Sequence, residues 1–171
     1  ALAELYVQAG NLKQAASFVK QALEADPEDF KTRIVATRWA VEVRDFDQAR
    51  QHAAQALKLN SGSPEAILLS GIVAMFLEDF DSAVKHFQAL ILVSPGDFTA
   101  TDNLALALCQ QDNEADRQLA LSYAQLNAQR FPQRPEAAAT LGWVLLRLDR
   151  VDEAEKVLRG AASASGLSPN A

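Results

Sequence analysis

The chain of 171 residues is short of most of what a catalytic or cross-linked site is made from. It has one cysteine, Cys109, so no internal disulfide framework exists. Cys109 also has no histidine beside it and reads as a small apolar filler. There are two histidines, His52 and His86, 34 residues apart. That spacing reads as one outer place on two successive units, not as a metal pair. No CxxC, H-E-x-x-H, glycine-rich phosphate loop or nucleophile elbow occurs. No catalytic residue, metal or cofactor is expected. Only 6 Pro and 7 Gly stand against 49% apolar residues, which excludes a disordered tail. Basic charge is in deficit, with 16 Lys and Arg against 22 Asp and Glu, a net charge of −6. Phosphate binding needs clustered cations, so nucleic acid is not an expected partner. The longest apolar run, Ala66 to Leu77, falls far short of the roughly 20 residues of a membrane span, so no insertion is expected. No signal-peptide pattern is visible, and the chain opens without Met.

What is present is organised around Pro64 to Pro95. Two helix-period apolar runs flank a hinge at Glu78-Asp79-Phe80, with Ile67, Ser70, Gly71 and Ala74 on one run and Phe80, Ala83, Phe87 and Leu90 on the other. This predicts a hairpin of two amphipathic helices in which Gly71 and Ala83 allow close backbone approach. Pro95 stops the second helix.

The pattern recurs. Alanine takes the matching second-helix place at Ala15, Ala49, Ala83, Ala120 and Ala154, in steps of 34, 34, 37 and 34. The small first-helix place is Ala3, Thr37, Gly71, Ala105 and Gly142, and the closing breaker is Pro27, Ser61, Pro95, Pro132 and Gly166. The place four after the second-helix alanine holds Val19, Ala53, Phe87, Ala124 and Leu158. Self-similarity at this period means a solenoid, in which each unit buries its apolar face against its neighbours. Over essentially its whole length the chain resembles the tetratricopeptide repeat family, which has this period, these small residues and the closing proline. The resemblance implies an all-α, right-handed α-solenoid of about ten helices in a single array. Its repeats would run about 1–27, 28–61, 62–95, 96–132 and 133–166, with 167–171 opening a further one.

Local signals place the boundaries. Gly10-Asn11 reads as a stop and cap, Asp45, Asp79 and Asp97 as caps, Ser63-Pro64 as a cap with proline at the first helical place, and Asp149-Arg150 as a turn. Trp39, one place before the usual aromatic position, is expected to pack on the preceding repeat. Repeat four carries three extra residues within Gln110 to Gln118, read as a longer hinge or a second helix lengthened at its start. Ala1 falls at the sixth place of its helix, and Ser168-Pro169-Asn170-Ala171 parallels Ser63-Pro64-Glu65-Ala66, so the array is expected to be cut at both ends. The last helix shows no polar outer face, which predicts an exposed apolar surface or one covered by a second copy.

The resemblance also implies that the first helices line a concave groove. The places facing it include Ile34, Val35 and Arg38 in repeat two, Leu69, Ile72, Met75 and Phe76 in repeat three, Asp102, Asn103 and Leu106 in repeat four, and Trp143 and Arg147 in repeat five. Leu68, Leu69, Ile72, Met75 and Phe76 would form an apolar strip for a partner helix or peptide. Arg38, Asp102, Asn103 and Arg147 would set its direction. Two specialisations of the family are not matched. A carboxylate-binding cluster would need the cations in another arrangement, and Glu42 and Asp102 lie among Lys31, Arg38, Asn103 and Arg147. An asparagine ladder at the sixth place is met only by Asn103, against Ala1, Val35, Leu69 and Thr140. The expected function is a protein-interaction scaffold binding a protein or peptide, within a longer array of bacterial type. The alternatives are a self-associating spacer, a homo-oligomer joined through uncapped ends, and a regulatory arm of a larger enzyme such as a sugar transferase.

Overall fold

The computed structural model describes residues 2–164. The expectations for Ala1, for Gly166 and for Ser168–Ala171 lie outside the described residues. Ten helices are present among the described residues: α1 (Leu2–Gln8), α2 (Leu12–Ala25), α3 (Phe30–Glu42), α4 (Phe46–Leu59), α5 (Pro64–Phe76), α6 (Phe80–Val93), α7 (Phe98–Leu108), α8 (Glu114–Arg130), α9 (Pro135–Arg147) and α10 (Val151–Ala164). They divide into two compact units, Ala1–Val93 and Ser94–Ala171.

In the first unit three hairpins, α1–α2, α3–α4 and α5–α6, follow one another, and α3 and α5 each pack on the second helix before them. In the second unit the hairpins are α7–α8 and α9–α10, with α9 packed on α8. First helices also touch one another, α1 with α3, α3 with α5, and α7 with α9. Among the described residues second helices show no comparable contact with each other. Within each unit the first helices therefore form the tighter, inner layer.

Seven of the ten helices start where a short polar side chain meets the free N–H groups. Asn11, Asp29, Asp45, Ser63, Asp79, Asp97 and Asn113 all accept from the backbone N–H three residues on. Side-chain bonds from Thr32 and Ser82, then these backbone bonds, hold the Asp29 and Asp79 carboxyls below the usual carboxylate range. The turn inside the hairpin takes a left-handed residue just before the second helix: Gly10, Arg44, Glu78 and Asp149, with φ of 70°, 61°, 58° and 59°. Only Gly10 announces this in the sequence. Repeat four differs. Its α7 stops early at Leu108, no left-handed residue appears in its hinge, and α8 runs 17 residues against 14 in the other full-length second helices. Both readings of its insertion are thus realised, a longer hinge and a longer helix.

The small first-helix place makes room for a side chain. A Cβ on Gly71 would stand 2.4 Å from Phe87 Cε1, and one on Gly142 2.7 Å from Leu158 Cδ2. The glycines admit a large side chain from the hairpin partner, a use that the expectation of close backbone approach did not name. Phe87 is fully buried as a result. A correction concerns α5, which is apolar nearly all round, not amphipathic. Its partner α6 and its neighbours α3 and α4 cover most of it, leaving only a strip on the inner side. Trp39 packs as expected, donating its indole N–H to the Leu12 carbonyl at 3.0 Å.

Candidate interaction surface on the first helices

The inner layer of the first unit has an electrostatic edge and an apolar end. Arg38 on α3 pairs with Glu65 on α5 and, at 3.9 Å, with Glu4 on α1, which ties three first helices together. Beside it Phe30, Lys31, Ile34, Val35, Glu4 and Glu65 line a hollow of about 250 Å³. Ile34 and Val35 form its buried floor, packed respectively with Ala56, Ala66 and Leu69 and with Val19 and Ala36. Leu69 is buried in the same way. Ile34, Val35 and Leu69, expected to face a partner, have most of their apolar surface taken by neighbouring helices. Arg38 keeps part of its surface but spends its charge on two carboxylates.

The remaining residues of the strip stand differently. Leu68, Ile72 and Met75 are half-buried and Phe76 is 49% exposed. One face of Phe76 stacks on Phe46 from the start of α4, with centroids 4.7 Å apart and planes 9° from parallel. Its other face is open.

In the second unit Trp143 is 46% exposed and Leu146, three residues on, is 43% exposed. Arg147, also exposed, donates from Nε to the Cys109 carbonyl at 3.4 Å. Leu106 on α7 is half-buried, as is Asn103, whose amide donates to the Thr99 carbonyl of its own helix. The Cys109 thiol is buried, its Sγ donates to the Leu106 carbonyl, and burial pushes its pKa up, away from the reactive thiolate. Leu146, which follows Trp143 at helical spacing, is among the places that the repeat frame directs to the groove.

Asp102 is not a partner-facing charge. It is 8% exposed, and its Oδ2 accepts from the Thr140 hydroxyl of α9 at 3.0 Å. Asn127 of α8 accepts from the Thr101 hydroxyl at 2.7 Å. The Asp102 Oδ1 and the Asn127 Nδ2 are both buried without a formed hydrogen bond. Burial raises the Asp102 pKa, opposed by Thr140 and the nearby Asn127 amide and assisted by Glu136. These two bonded pairs, on α7, α8 and α9, were not foreseen. The signal was Thr101 and Asn127 standing at the places of Ile67 and Leu90 one repeat earlier.

The histidines lie on second helices. His52 accepts from Arg33 at 3.1 Å, and burial, then the Arg33 charge, holds it below the usual imidazole pKa. Burial lowers His86 as well. Among the described residues no three of His, Cys, Asp and Glu gather as a metal site would require, and no helix is long and apolar enough to cross a membrane.

Comparison with known proteins agrees with this architecture. The family profile "Tetratricopeptide repeat" matches residues 1–29. Tetratricopeptide repeat protein 21B of Xenopus laevis is 25% identical over 134 residues, covering 78% of this chain and 10% of that protein. The chain spans about a tenth of the length of the curated relatives it matches. Among solved structures, residues 41 to the end of MamA from Desulfovibrio magneticus RS-1 superpose with a TM-score of 0.84 at 16% identity, covering 99% of this chain and 94% of that one. YrrB, described as a tetratricopeptide-repeat protein with an unusual peptide-binding site, superposes with a TM-score of 0.74 at 21% identity, covering 98% and 84%.

Proposed function

We propose that this chain, whose repeat pattern and fold are those of tetratricopeptide-repeat arrays, recognises a polypeptide through the exposed side chains of its first helices. Two aromatic residues carry the reading. Phe76 and Trp143 sit on first helices with about half their surface in water, Phe76 beside the half-buried Met75 and Trp143 one turn from the exposed Leu146. Large aromatics and arginine dominate binding energy at interfaces, and Trp143 has Arg147 one turn away. Fully burying one such apolar side chain contributes about 1.5–3 kcal/mol, so two or three anchors support micromolar affinity after ordering costs. The anchors proposed are Ile72, Met75 and Phe76 in the first unit and Leu106, Trp143, Leu146 and Arg147 in the second, with Asn103 and Arg38 at the margins. YrrB, which its description gives a peptide-binding site, supports a peptide as the kind of partner. We take the five repeats as one domain acting in this way. The test is a helical-peptide library selected against the chain. Selected peptides should lose at least tenfold in affinity on Trp143→Ala or on Met75→Ala with Phe76→Ala, while circular dichroism stays helical. Unchanged affinity in both variants would move the site elsewhere.

One observation favours self-association as a second reading. Leu146, Val151, Ala154, Leu158 and Ala162 line an open, mostly apolar hollow of about 600 Å³ along α10. A dilution series by light scattering decides it: mass that falls with dilution supports the reading, and a constant monomer mass removes it.

A further inference from the structure

The connection between α8 and α9 concentrates positive charge without an internal partner. Phe98 and Phe131 meet edge to face, with centroids 5.2 Å apart and planes at 79°. The Arg134 guanidinium lies 4.6 Å over the Phe98 ring and 5.9 Å from that of Phe131. The Arg130 guanidinium lies 5.4 Å from the same Phe131 ring, and its Nη2 comes within 3.1 Å of where a Cβ on Gly96 would stand. Two cations are thus held within 6 Å of one aromatic ring.

Neither forms an ion pair among the described residues, and unlike Arg33 and Arg147, which also form none, neither guanidinium donates a hydrogen bond to another of these residues. No Asp or Glu stands between Asp116 and Glu136 in a chain that is acidic overall. A guanidinium resting on a ring keeps its N–H edges directed outward, in the fork that fits a carboxylate. Each ring contact offsets only about 0.5–1 kcal/mol at an exposed site, and two like charges this close repel unless an anion joins them. Arg134 also occupies the N-cap of α9 and makes no capping bond of its own.

We propose that Arg130 and Arg134 form a receptor for an acidic segment of a partner polypeptide, each guanidinium taking one carboxylate. The proposal rests on the polypeptide-recognition reading for its class of partner, but on different residues. The experiment is an NMR titration of the 15N-labelled chain with a decapeptide of Asp and Glu, beside its Asn and Gln counterpart and inorganic phosphate. Saturable shifts of the Arg130 and Arg134 Nε–H signals with the acidic peptide are expected, with none from the amide peptide. Affinity should fall at least fivefold between low salt and 0.2 M salt, and at least fivefold in Arg130→Gln with Arg134→Gln. A thermal melt of that variant, and Arg130→Lys with Arg134→Lys as a charge-preserving control of intermediate affinity, separate binding from folding. Equal shifts with the amide peptide, shifts spread evenly over all arginines, or insensitivity to the double glutamine change would overturn the proposal. Tighter binding of inorganic phosphate than of the peptide would overturn it in favour of a phosphate site. Failure of apolar helical peptides to move the Trp143 indole would defeat the first-helix reading and leave this result standing.

Discussion

The hairpins α3–α4 and α5–α6 have helices of equal lengths, aspartate caps on their second helices and left-handed turns at Arg44 and Glu78, yet they fill their seams in opposite ways. In α5–α6 the first helix contributes Gly71 and the second sends Phe87 into the space. In α3–α4 the first helix contributes the larger Thr37, whose hydroxyl bonds back to the Arg33 carbonyl at 2.8 Å, and the second has only Ala53 at the place of Phe87. Ala53 also lines a hollow of about 210 Å³ shared with α5 and α6. The size that one position gives up is taken by the other in α5–α6, whereas α3–α4 puts the larger residue on the first helix and leaves space beside Ala53. Gly142 with Leu158 follows the α5–α6 solution. The seam of α7–α8 shows a third solution, with Thr101 and Asn127 bonded in the core where Ile67 and Leu90 stand one repeat earlier.

The largest expected effect breaks the α5–α6 seam outright. Phe87→Ala should cost about 3–5 kcal/mol in urea unfolding, as expected for emptying a buried aromatic site. Gly71→Ala should cost about 1–3 kcal/mol, because the ring it meets is fully buried and has little room to retreat. Joining the two, Gly71→Thr with Phe87→Ala transplants the α3–α4 pair. The double change should cost at least 1 kcal/mol less than the sum of its single changes, and strict additivity would show that the two sites do not share one space.

The polar seam calls for the opposite sign. Asp102 has its folded pKa raised, so the native state holds its proton more tightly than the unfolded chain does. Its charge therefore lowers stability as pH rises from the ordinary carboxylate range through the folded pKa, and the cost persists above it. Asp102→Asn should raise stability at pH 7 by about 1 kcal/mol and flatten that part of the pH profile, since the Thr140 hydroxyl can turn to accept. Melts across pH 3 to 8 for both proteins test this. The smallest effect is at the turn. Glu78→Gly should add about 0.5 kcal/mol by relieving a left-handed non-glycine residue, measured by the same unfolding curves.

The helix order, most caps and the repeat frame were legible because they depend on residues close in sequence, such as Ser63-Pro64 or Asp97, and on a 34-residue step. Three things were not. Arg44, Glu78 and Asp149 carry no compositional sign of a positive φ; the hairpin imposes it on whatever residue stands there. The role of Gly71 depends on Phe87, sixteen residues away, and is visible only when both places are compared across repeats. For the proposed interaction surface, position in the repeat returned Phe76 and Trp143, which are exposed, together with Ile34, Val35, Leu69 and Asp102, which the inner layer buries. Facing inward and facing solvent are different properties, and only packing between neighbouring first helices separates them.

The central functional claim is that the exposed first-helix faces hold a polypeptide. A photo-reactive phenylalanine analogue placed at Trp143, and separately at Lys85 on a second helix, tests it when each protein is irradiated with a helical peptide selected on the unmodified chain. An adduct is expected from position 143 and little from 85. An adduct at 85 with none at 143 would contradict it.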